Sequence, residues 1–456
     1  MEENNMLSKR NLALFLAVAC IFLSLTASCQ KRGGDTSGKT TLSVLNYTDL
    51  TVATAAQDQK WQWDTFAQQN QDVIVNHEDL FNEPFHNKTE AYAASGNLPD
   101  VLYVWPSGRS TTLHEKKLLK DLGPFLQKDG LQDKYLPTAM DPSQQGGGYL
   151  AMIPQGITAS HAFYVNLEVL RACGLQPAKT YAELKAQVPI LKANGYETVI
   201  MPNKDTWVMQ SCLFSAVAGR FGGAGWDQKV LAGQAKFTDP DFVKALEFIQ
   251  ALYRDGVLAS SSLGTDYGDG PGLFATNKGA YYIDGDWRAG AFITDPDTGV
   301  ALIDVSKQKN FLVTVFPDIE GAKINKSTST ILGTGWAMSA AIPSGSARED
   351  AAWRLVKWLC GAEVQTRMFE HGGLPAPSRT DINFSGIPVE PITLAVANLG
   401  GEYTTGTCVI DGVFHSDVFN PLNDGLQEIG LGSKTPAQVA AEIQRAFDAA
   451  KAAGKF

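Results

Sequence analysis

An alternation of strand-like and helix-like segments near the start of this 456-residue chain constrains its fold more than any other feature. Short apolar runs predict buried strands, and longer stretches with apolar residues on one face predict helices. The predicted order is strand 41–47, helix 59–69, strand 73–76, helix 88–95 and strand 101–105. Such an order favours a mostly parallel sheet with helices on both faces. The sequence therefore predicts an α/β fold.

The length and the later helix signals indicate more than one domain. A chain of 456 residues is long enough for two or three domains, each with its own core. Thr180 and Glu183 have the spacing of a capping box, and Thr435 and Pro436 open the last helix. A single long helix is predicted over 351–368.

The charge and the histidine pattern exclude several kinds of partner and cofactor. The formal charge is −10, from 38 Lys and Arg against 48 Asp and Glu, and no basic block stands out. This balance argues against DNA or RNA as a ligand. The six histidines form no H-E-x-x-H motif or close pair, and the cysteine spacings fit no zinc pattern. We expect no nucleic-acid partner, no bound metal and no cofactor.

The N-terminus has the pattern of an export signal. Lys9 and Arg10 precede an uncharged, mostly apolar stretch, 11–28, which ends at Cys29. One alternative is an uncleaved membrane anchor, because the stretch is only slightly shorter than the roughly 20 residues that span a bilayer. Either way, we expect the body of the protein outside the cytoplasm and tethered to a membrane.

The residues around Cys29 resemble the processing box of bacterial lipoproteins. Small residues precede the cysteine in 25–29, although Thr26 stands where a leucine is usual. The prediction is a signal peptide at 1–28, a lipidated Cys29 and a polar linker at 29–40 that holds the body off the membrane. The cysteines of the remaining body could form disulfides or stay as buried free thiols: Cys173, Cys212, Cys360 and Cys408.

One stretch, 274–288 with the sequence FATNKGAYYIDGDWR, combines a tryptophan with several charged residues. An indole face can stack on the C–H groups of a sugar ring, and the carboxylates of Asp284 and Asp286 can accept hydrogen bonds from hydroxyls. The alternative is that Trp287 is ordinary core and that both aspartates only form a turn. Arg288 would then pair with one of them on the surface.

Four segments, taken in order, resemble one protein family. SGNLPDV at 95–101 is similar to a lobe-edge motif of that family, and 154–184 is similar to its strand that crosses between lobes and the helix that follows. Within 274–288, the spacing of Phe, Lys-Gly, Gly and Trp also matches. The segment 333–376 is similar to the second crossing, a helix and a G-x-x-P loop. Together they resemble the extracellular solute-binding proteins that serve ABC-type sugar importers.

This resemblance implies a two-lobed periplasmic-binding-protein-like fold of type II, in which each lobe has a mostly parallel sheet flanked by helices. A hinge would join the lobes, and a solute would bind in the cleft between them. The implied division places lobe one at about 41–155 and 315–365, and lobe two at about 156–314 and 366–456. The implied partners are a sugar ligand, the transmembrane subunits of an ABC permease and the membrane itself, through the lipid anchor.

Candidate ligand contacts follow from the resemblance and from the ends of the predicted strands. Trp287 and Trp105 would stack on a sugar from opposite lobes, and the ends of α/β strands are where ligand contacts are expected. Core packing is the alternative for Trp105 and Trp336, and a solvated loop carboxylate is the alternative for Asp49. The full predicted set is Trp287, Trp105, Trp336, Asp49, Tyr47, Asp284, Asp286, Arg288, Asp411 and His415.

The leading hypothesis is a membrane-tethered binding protein that captures a neutral mono- or oligosaccharide and delivers it to a permease, without chemistry. The many aromatic residues and the few cationic candidates favour a neutral sugar. The alternative is an exported carbohydrate-active enzyme, a glycosidase or lyase, which needs two carboxylates at a fixed separation. A third hypothesis is a lipoprotein with an adhesive or structural role, against which a deep closing cleft would argue.

Overall fold

The computed structural model describes residues 38–455, which form two β-sheets flanked by helices. The predicted signal peptide, Cys29 and most of the predicted linker lie outside the described residues. The strands are β1 Thr40–Tyr47, β2 Val73–Leu80, β3 Val101–Val104, β4 Met152–Ala159, β5 Ala162–Asn166, β6 Glu197–Ile200, β7 Gly279–Asp284, β8 Phe311–Thr314, β9 Ser327–Met338 and β10 Thr404–Cys408.

Helices fill most of the connections between these strands. The α-helices are α1 Ala53–Gln69, α2 Glu83–Ser95, α3 Thr111–Glu115, α4 Gly123–Asp129, α5 Pro142–Gln145, α6 Leu167–Ala172, α7 Tyr181–Ala193, α8 Trp207–Met209, α9 Ser215–Gly222, α10 Trp226–Leu231, α11 Pro240–Arg254, α12 Gly270–Ala275, α13 Val305–Gln308, α14 Ala347–Leu359, α15 Ala362–Glu370, α16 Pro391–Glu402, α17 Ile410–Val413, α18 Ser416–Leu431 and α19 Pro436–Ala452. Short 3-10 helices and one π-helical turn, Gln210–Phe214, complete the chain that the structure describes.

The first sheet has six strands in the order β10-β9-β3-β1-β2, and β4 also pairs with β9. β1 runs parallel to both β2 and β3, with α1 and α2 in the connections, as the alternation near the start of the chain predicts. β9 runs parallel to β10 and antiparallel to β3 and β4. The predicted mostly parallel sheet is confirmed here, and we call the part of the molecule around it lobe one.

The second sheet has four strands in the order β6-β7-β5-β8, and the part of the molecule around it is lobe two. Only β6 and β7 are parallel, whereas β5 is antiparallel to both β7 and β8. The expectation of a mostly parallel sheet in each lobe does not hold for this sheet. The strand-helix alternation behind that expectation belongs to lobe one, whereas β5 enters lobe two straight from the strand that crosses between the lobes.

Two long antiparallel strands, β4 and β9, connect the lobes. They pair from Met152 and Ala337 to Ala159 and Thr330, and only two residues separate β4 from β5. One of these is His161, whose pKa burial lowers to about 3, so that its imidazole is neutral. Its Nδ1 donates to a carbonyl oxygen 2.6 Å away and its Nε2 accepts from a backbone N–H at 2.8 Å, which fixes the crossing. The exact residues that divide the lobes stay a prediction.

Each lobe has its own hydrophobic core. In lobe one, Val44 of β1 and Trp353 of α14 belong to one buried cluster. In lobe two, Phe163 of β5 packs with the inner face of α11, which includes Phe242 and Ile249. Each fully buried side chain of this kind stabilises the fold by about 1.5–3 kcal/mol, so each lobe is stabilised by a core of its own.

The helix start predicted at Thr435 is confirmed, because its hydroxyl accepts from the N–H of Gln438, whose side chain bonds back to the N–H of Thr435. The capping box predicted at Thr180 and Glu183 forms only in part. The Thr180 hydroxyl accepts from the N–H of Glu183 at 3.2 Å, but the Glu183 carboxylate accepts from the N–H of Lys179 and not from that of Thr180.

The single helix predicted over 351–368 is wrong, because α14 ends at Leu359 and α15 begins only at Ala362. A side chain at Gly361 would lie 3.0 Å from two carbonyl oxygens of α14, so the close turn there depends on glycine.

The described residues contain no helix with the length and apolar character needed to cross a membrane. They also settle the state of the four cysteines of the body. Cys173, Cys212, Cys360 and Cys408 are all free thiols, and Cys212 and Cys360 are buried.

Candidate functional site

A cavity of about 280 Å³ lies between the two lobes. Its lining comes from segments that follow strands of both sheets and from the crossing strands β4 and β9. The aromatic residues of the lining are Tyr47, Phe81, Tyr103, Trp105, Trp207, Tyr267, Trp287 and Trp336. Small-ligand sites usually measure about 300–1,000 Å³ and are mostly apolar and aromatic, so the cavity suits one small ligand.

The lobe-one wall of the cavity is a group of packed aromatic rings. β1 and β3 are parallel neighbours and end at the same edge of the sheet, which brings Tyr47 and Trp105 together with ring centroids 4.6 Å apart. Tyr103 lies between Trp105 and Trp336, at 5.2 Å and 5.4 Å. Its hydroxyl donates to Thr334 on β9 at 2.8 Å, which ties the wall to the crossing strand.

The lobe-two wall is built around Trp287, in the 3-10 helix Asp286–Ala291 that follows β7. Its indole Nε1 donates to the hydroxyl of Tyr267 at 2.7 Å. The ring of Trp207, at the start of α8, meets that of Tyr267 edge-on at 4.9 Å. The guanidinium of Arg288 lies 4.2 Å from the centre of the Tyr267 ring on which it stacks. Three aromatic side chains from separate segments thus form one surface.

Asp284 supports this wall from behind. Its carboxylate is fully buried and accepts from Tyr267 at 2.9 Å, from Nε of Arg288 at 2.9 Å and from the N–H of Gly285 at 2.8 Å. The hydroxyl of Tyr282 donates to it as well. All these bonds lie within lobe two, so Asp284 positions the residues that line the cavity and does not line it.

Asp286 is buried at the junction of lobe two and β4. Its Oδ2 accepts from the N–H of Ala159, the last residue of β4, at 2.6 Å. Its Oδ1 is also buried and has no hydrogen-bond partner among the described residues. Burial raises the pKa of Asp286 to about 8, so the carboxyl carries a proton at neutral pH.

The charged groups of the lining are mostly paired with one another or with close neighbours. Arg109 Nε lies 2.7 Å from Asp411 Oδ2, and both side chains are 8 % exposed. Asp58 Oδ1 lies 2.7 Å from Arg367 and 2.6 Å from His371. A buried charge that already has a partner has little to gain from a charged ligand. The cavity is therefore best matched to a neutral ligand.

Some polar groups of the lining have no protein partner. Nε1 of Trp207 and Nε1 of Trp336 are buried donors without an acceptor in the described part of the chain. Burial also lowers the pKa of His86 far below its usual range, which leaves a neutral imidazole. Because buried donors are normally satisfied, the two indoles are candidates for bonds to ligand oxygens.

The two lobes also contact each other beside the cavity. On α1, Thr54 Oγ1 donates to the carbonyl oxygen of Gly290 at 3.3 Å, and Gln57 Nε2 donates to Asp295 at 3.2 Å. The segment after β2 makes a second set of contacts with lobe two. The structure is thus that of a closed cleft.

A family model of bacterial extracellular solute-binding proteins matches residues 61–386, which is well over half of the chain. The chain belongs to this family. Among relatives, the maltotriose-binding protein of Pyrococcus abyssi (strain GE5 / Orsay) is 24% identical over 277 residues, which is 60% of this chain and 53% of that protein. This solute-binding protein therefore matches about half the length of that relative.

Solved structures confirm the two-lobed α/β fold of this solute-binding protein. A chitin oligosaccharide binding protein superimposes with a TM-score of 0.79 at 20% identity, covering 91% of this chain and 100% of that one. The maltose/maltodextrin-binding domain from Bdellovibrio bacteriovorus, bound to maltotriose, has a TM-score of 0.68 at 17% identity and covers 90% and 100%. At such low sequence identities, the structural similarity is evidence for the fold alone.

The cavity of this solute-binding protein brings together seven of the ten residues predicted from sequence to contact ligand: Trp287, Trp105, Trp336, Asp49, Tyr47, Arg288 and Asp411. The other three lie outside the lining. Asp284 is buried within lobe two, and Asp286 is buried at the junction of lobe two and β4. His415 caps α18, because its Nδ1 accepts from the N–H of Asp417 at 3.1 Å.

Several lining residues were missed from the sequence. Phe81 and Asn82 come directly after β2, but the predicted strand stopped at 76, so the end of the strand was placed too early. Trp207 follows β6, a four-residue strand that was not predicted. With β2 placed correctly, the rule that ligands bind at strand ends would have found Phe81 and Asn82. Trp207 lies seven residues beyond the end of β6, so this rule does not reach it.

Proposed function

We propose that this chain is the substrate-binding component of an ABC-type importer and captures a neutral mono- or oligosaccharide. The observation that carries the proposal is the cavity itself, in which aromatic walls from both lobes face each other and most of the lining charges are paired. Aromatic faces pack on the C–H patches of sugar rings. Carboxylates and indole N–H groups then bond the hydroxyls.

In this proposal, Trp105 of lobe one and Trp287 of lobe two hold the sugar between them. Asp49, in the loop after β1, accepts from sugar hydroxyls, and the free indole N–H groups of Trp207 and Trp336 donate to sugar oxygens. Because each lobe supplies part of the site, the ligand binds the closed form better than the open form and shifts the equilibrium towards closure.

The family and its sugar-binding relatives support a role in transport, and we propose that no bond of the sugar is broken. Among the carboxylates of the lining, Asp58 and Asp411 are engaged in short ion pairs. A glycosidase needs one free carboxylate and one protonated carboxyl that face the same bond. A pair that is already neutralised by cations performs neither task well.

We also propose the delivery route. Residues 1–28 would act as a signal peptide, lipidated Cys29 would hold the protein at the membrane, and 29–40 would be the linker to the body. The body would then meet the transmembrane subunits of a permease outside the cytoplasm. The division of the lobes near 155, 314 and 365 belongs to the same proposal, except that β10, within 366–456, pairs with β9 in the sheet of lobe one. Cys29→Ser in the full chain, expressed in a bacterium, should move the protein from the membrane fraction to the soluble fraction.

Isothermal titration against neutral sugars tests the binding proposal. The panel should hold maltotriose, maltose, chitin oligosaccharides and xylo-oligosaccharides, since relatives and solved structures point to sugars of these kinds. We expect at least one micromolar or tighter ligand. In Trp287→Ala, loss of the stacking surface should weaken that ligand by about 10- to 100-fold, or about 1.4–2.8 kcal/mol.

Trp353→Phe serves as the matched control, because Trp353 is a buried tryptophan of lobe one outside the cavity lining. It should leave affinity unchanged. Each mixture should also be analysed for shortened sugars. Cleavage products would favour the enzyme, and the absence of any binding across the panel would refute the sugar-binding proposal.

A further inference from the structure

The segment after β2 contains a backbone conformation that its sequence does not explain. Asn82 has φ 58° and ψ −147°, a region that is populated almost only by glycine. Among the cavity-lining residues that the structure describes, Asn82 is the one non-glycine residue with positive φ. Such strain persists only where surrounding contacts hold it, and it is often found at ligand clamps and switches.

Asn82 also gives up the hydrogen bond that its position normally provides. It is the N-cap residue of α2, where an asparagine side chain usually accepts from the first backbone N–H groups of the helix. In this structure its side chain makes no capping bond. Its Nδ2 instead donates to Oδ2 of Asp205 at 2.7 Å. Asp205 lies in the loop after β6, so the bond joins lobe one to lobe two.

The neighbouring residue makes a second contact between the lobes. The ring of Phe81 stacks on that of Tyr267, with centroids 6.3 Å apart and planes 25° apart. The hydroxyl of Tyr267 accepts the indole N–H of Trp287 at 2.7 Å. Phe81 of lobe one is therefore connected through a single residue, Tyr267, to Trp287, the tryptophan proposed to stack on the sugar.

We propose that Phe81 and Asn82 form a closure latch that retains the ligand in the cleft, an inference that rests on the proposed function. In the closed form, Asn82 bonds Asp205 and Phe81 packs on Tyr267. When the lobes separate, both partners leave, and the Asn82 side chain is free to cap α2 with a relaxed backbone. The segment thus has two arrangements, each satisfied in one state of the cleft, and ligand contacts bias it towards the latched one.

The latch acts on the release of the ligand more than on its capture. An open cleft has no latch, so the association rate depends little on it. The dissociation rate depends on it directly, because the bond between Asn82 and Asp205 breaks before the ligand leaves. Changes within one binding site generally act on the dissociation rate.

A charge swap in the full chain tests the latch. Asn82→Asp places a carboxylate against Asp205 while it retains a good capping residue that tolerates positive φ. We expect its dissociation rate for the best sugar of the panel to rise about tenfold, or about 1.4 kcal/mol. Asn82→Asp combined with Asp205→Asn restores an amide and carboxylate pair with the donor on the other lobe. This double variant should return the dissociation rate to within about threefold of the wild-type value.

Two further variants guard against trivial explanations. Asp205→Ala removes the acceptor from a loop residue outside the cavity lining and should raise the dissociation rate several-fold. Asn97→Asp adds the same charge at an exposed site of lobe one outside the lining and should leave the rate unchanged. An unchanged rate in Asn82→Asp and Asp205→Ala, or no recovery in the charge swap, would overturn the latch.

Hydrogen exchange of the ligand-free protein separates this inference from the proposed function. The amide of Val208, which donates to the carbonyl oxygen of Asp205 at 3.1 Å, lies in the segment that the latch holds. Exchange in 205–208 should be faster in Asn82→Asp and normal in the charge swap. If no sugar binds the wild type, the proposed function fails, and this exchange pattern still supports or rejects the latch.

Discussion

The indole of Trp287 and the hydroxyl of Tyr267 share a hydrogen bond of 2.7 Å that fixes the proposed stacking surface before any ligand arrives. The same hydroxyl donates to Asp284, which is held in turn by Arg288. Four side chains from two segments thus form one chain of bonds behind the indole face. Fixing a ring in advance reduces the entropy lost on binding, so Asp284, which lies outside the cavity lining, contributes to affinity through the bonds that hold the indole in place.

Tyr267→Phe tests that network. The ring remains and can still pack on Phe81, but Trp287 loses its acceptor and Asp284 loses a donor. We expect the best sugar to bind about tenfold more weakly, or about 1.4 kcal/mol, in calorimetric titration. Tyr181→Phe is the control, because its hydroxyl bonds Asp255 at 2.8 Å within lobe two and outside the cavity lining. Equal affinities in both variants would argue against a positioning role.

A second prediction concerns Gly285, where the close approach of Trp287 requires a glycine. A Cβ at this position would lie 2.2–2.4 Å from three ring atoms of the indole, so the ring has to move. We expect Gly285→Ala to weaken sugar binding at least tenfold. Gly264→Ala is the matched control, because a Cβ there meets no atom within 4 Å. Unchanged affinity in Gly285→Ala would show that the observed indole position is not the one that binds.

The rule that ligands bind at strand ends finds the lobe-one wall of this site from the sequence and misses much of the lobe-two wall. Tyr47, Asp49 and Trp105 were found because β1 and β3 have clear apolar runs and end at one edge of a parallel sheet. Trp207 and Tyr267 reach the cavity from connections in the mixed sheet of lobe two. No local periodicity marks where such connections fold back.

The misplaced carboxylates have a different cause. Asp284 and Asp286 were predicted because they flank Trp287 in sequence, but neighbours in sequence need not face the same way. Asp284 ends β7 with its carboxylate in the interior of lobe two, whereas Trp287 lies in the next 3-10 helix and reaches the cavity. Strand alternation fixes such directions only within a strand, and the turn at Gly285 interrupts it.

The unpaired indole of Trp207 gives a third prediction. Trp207→Phe keeps an aromatic ring and removes only a donor that has no partner in the described structure. If a sugar oxygen accepts this donor, affinity should fall about 3- to 10-fold, while the thermal midpoint of the free protein stays the same. Trp353→Phe should lower the thermal midpoint and leave affinity unchanged, because Nε1 of Trp353 donates to Asp129 at 3.0 Å outside the cavity. Differential scanning fluorimetry and titration together distinguish the two patterns.

The last prediction follows from Asp286, whose pKa burial raises to about 8 in the folded protein. The unfolded chain gives this carboxyl its ordinary pKa of about 3.9. The folded state therefore holds the proton more tightly, and the stabilisation is complete below about pH 4 and lost as the pH rises through about 8. The asparagine of Asp286→Asn has nearly the same shape as the protonated aspartic acid and cannot ionise, so the variant should not lose stability in this way as the pH rises.

The measurement is the free energy of unfolding in urea, for wild type and Asp286→Asn, at intervals from pH 6.5 to 9. The free energy of unfolding of the variant should rise relative to that of the wild type by roughly 1 kcal/mol per pH unit up to about pH 8. Above that pH the difference between them should level off. This window avoids buried histidines such as His161, whose lowered pKa makes their contribution change below about 6.5. Asp284 is the charged neighbour that further opposes ionisation. A constant difference across the whole window would mean that Asp286 ionises as freely in the folded protein as in water, against the burial that the structure gives it.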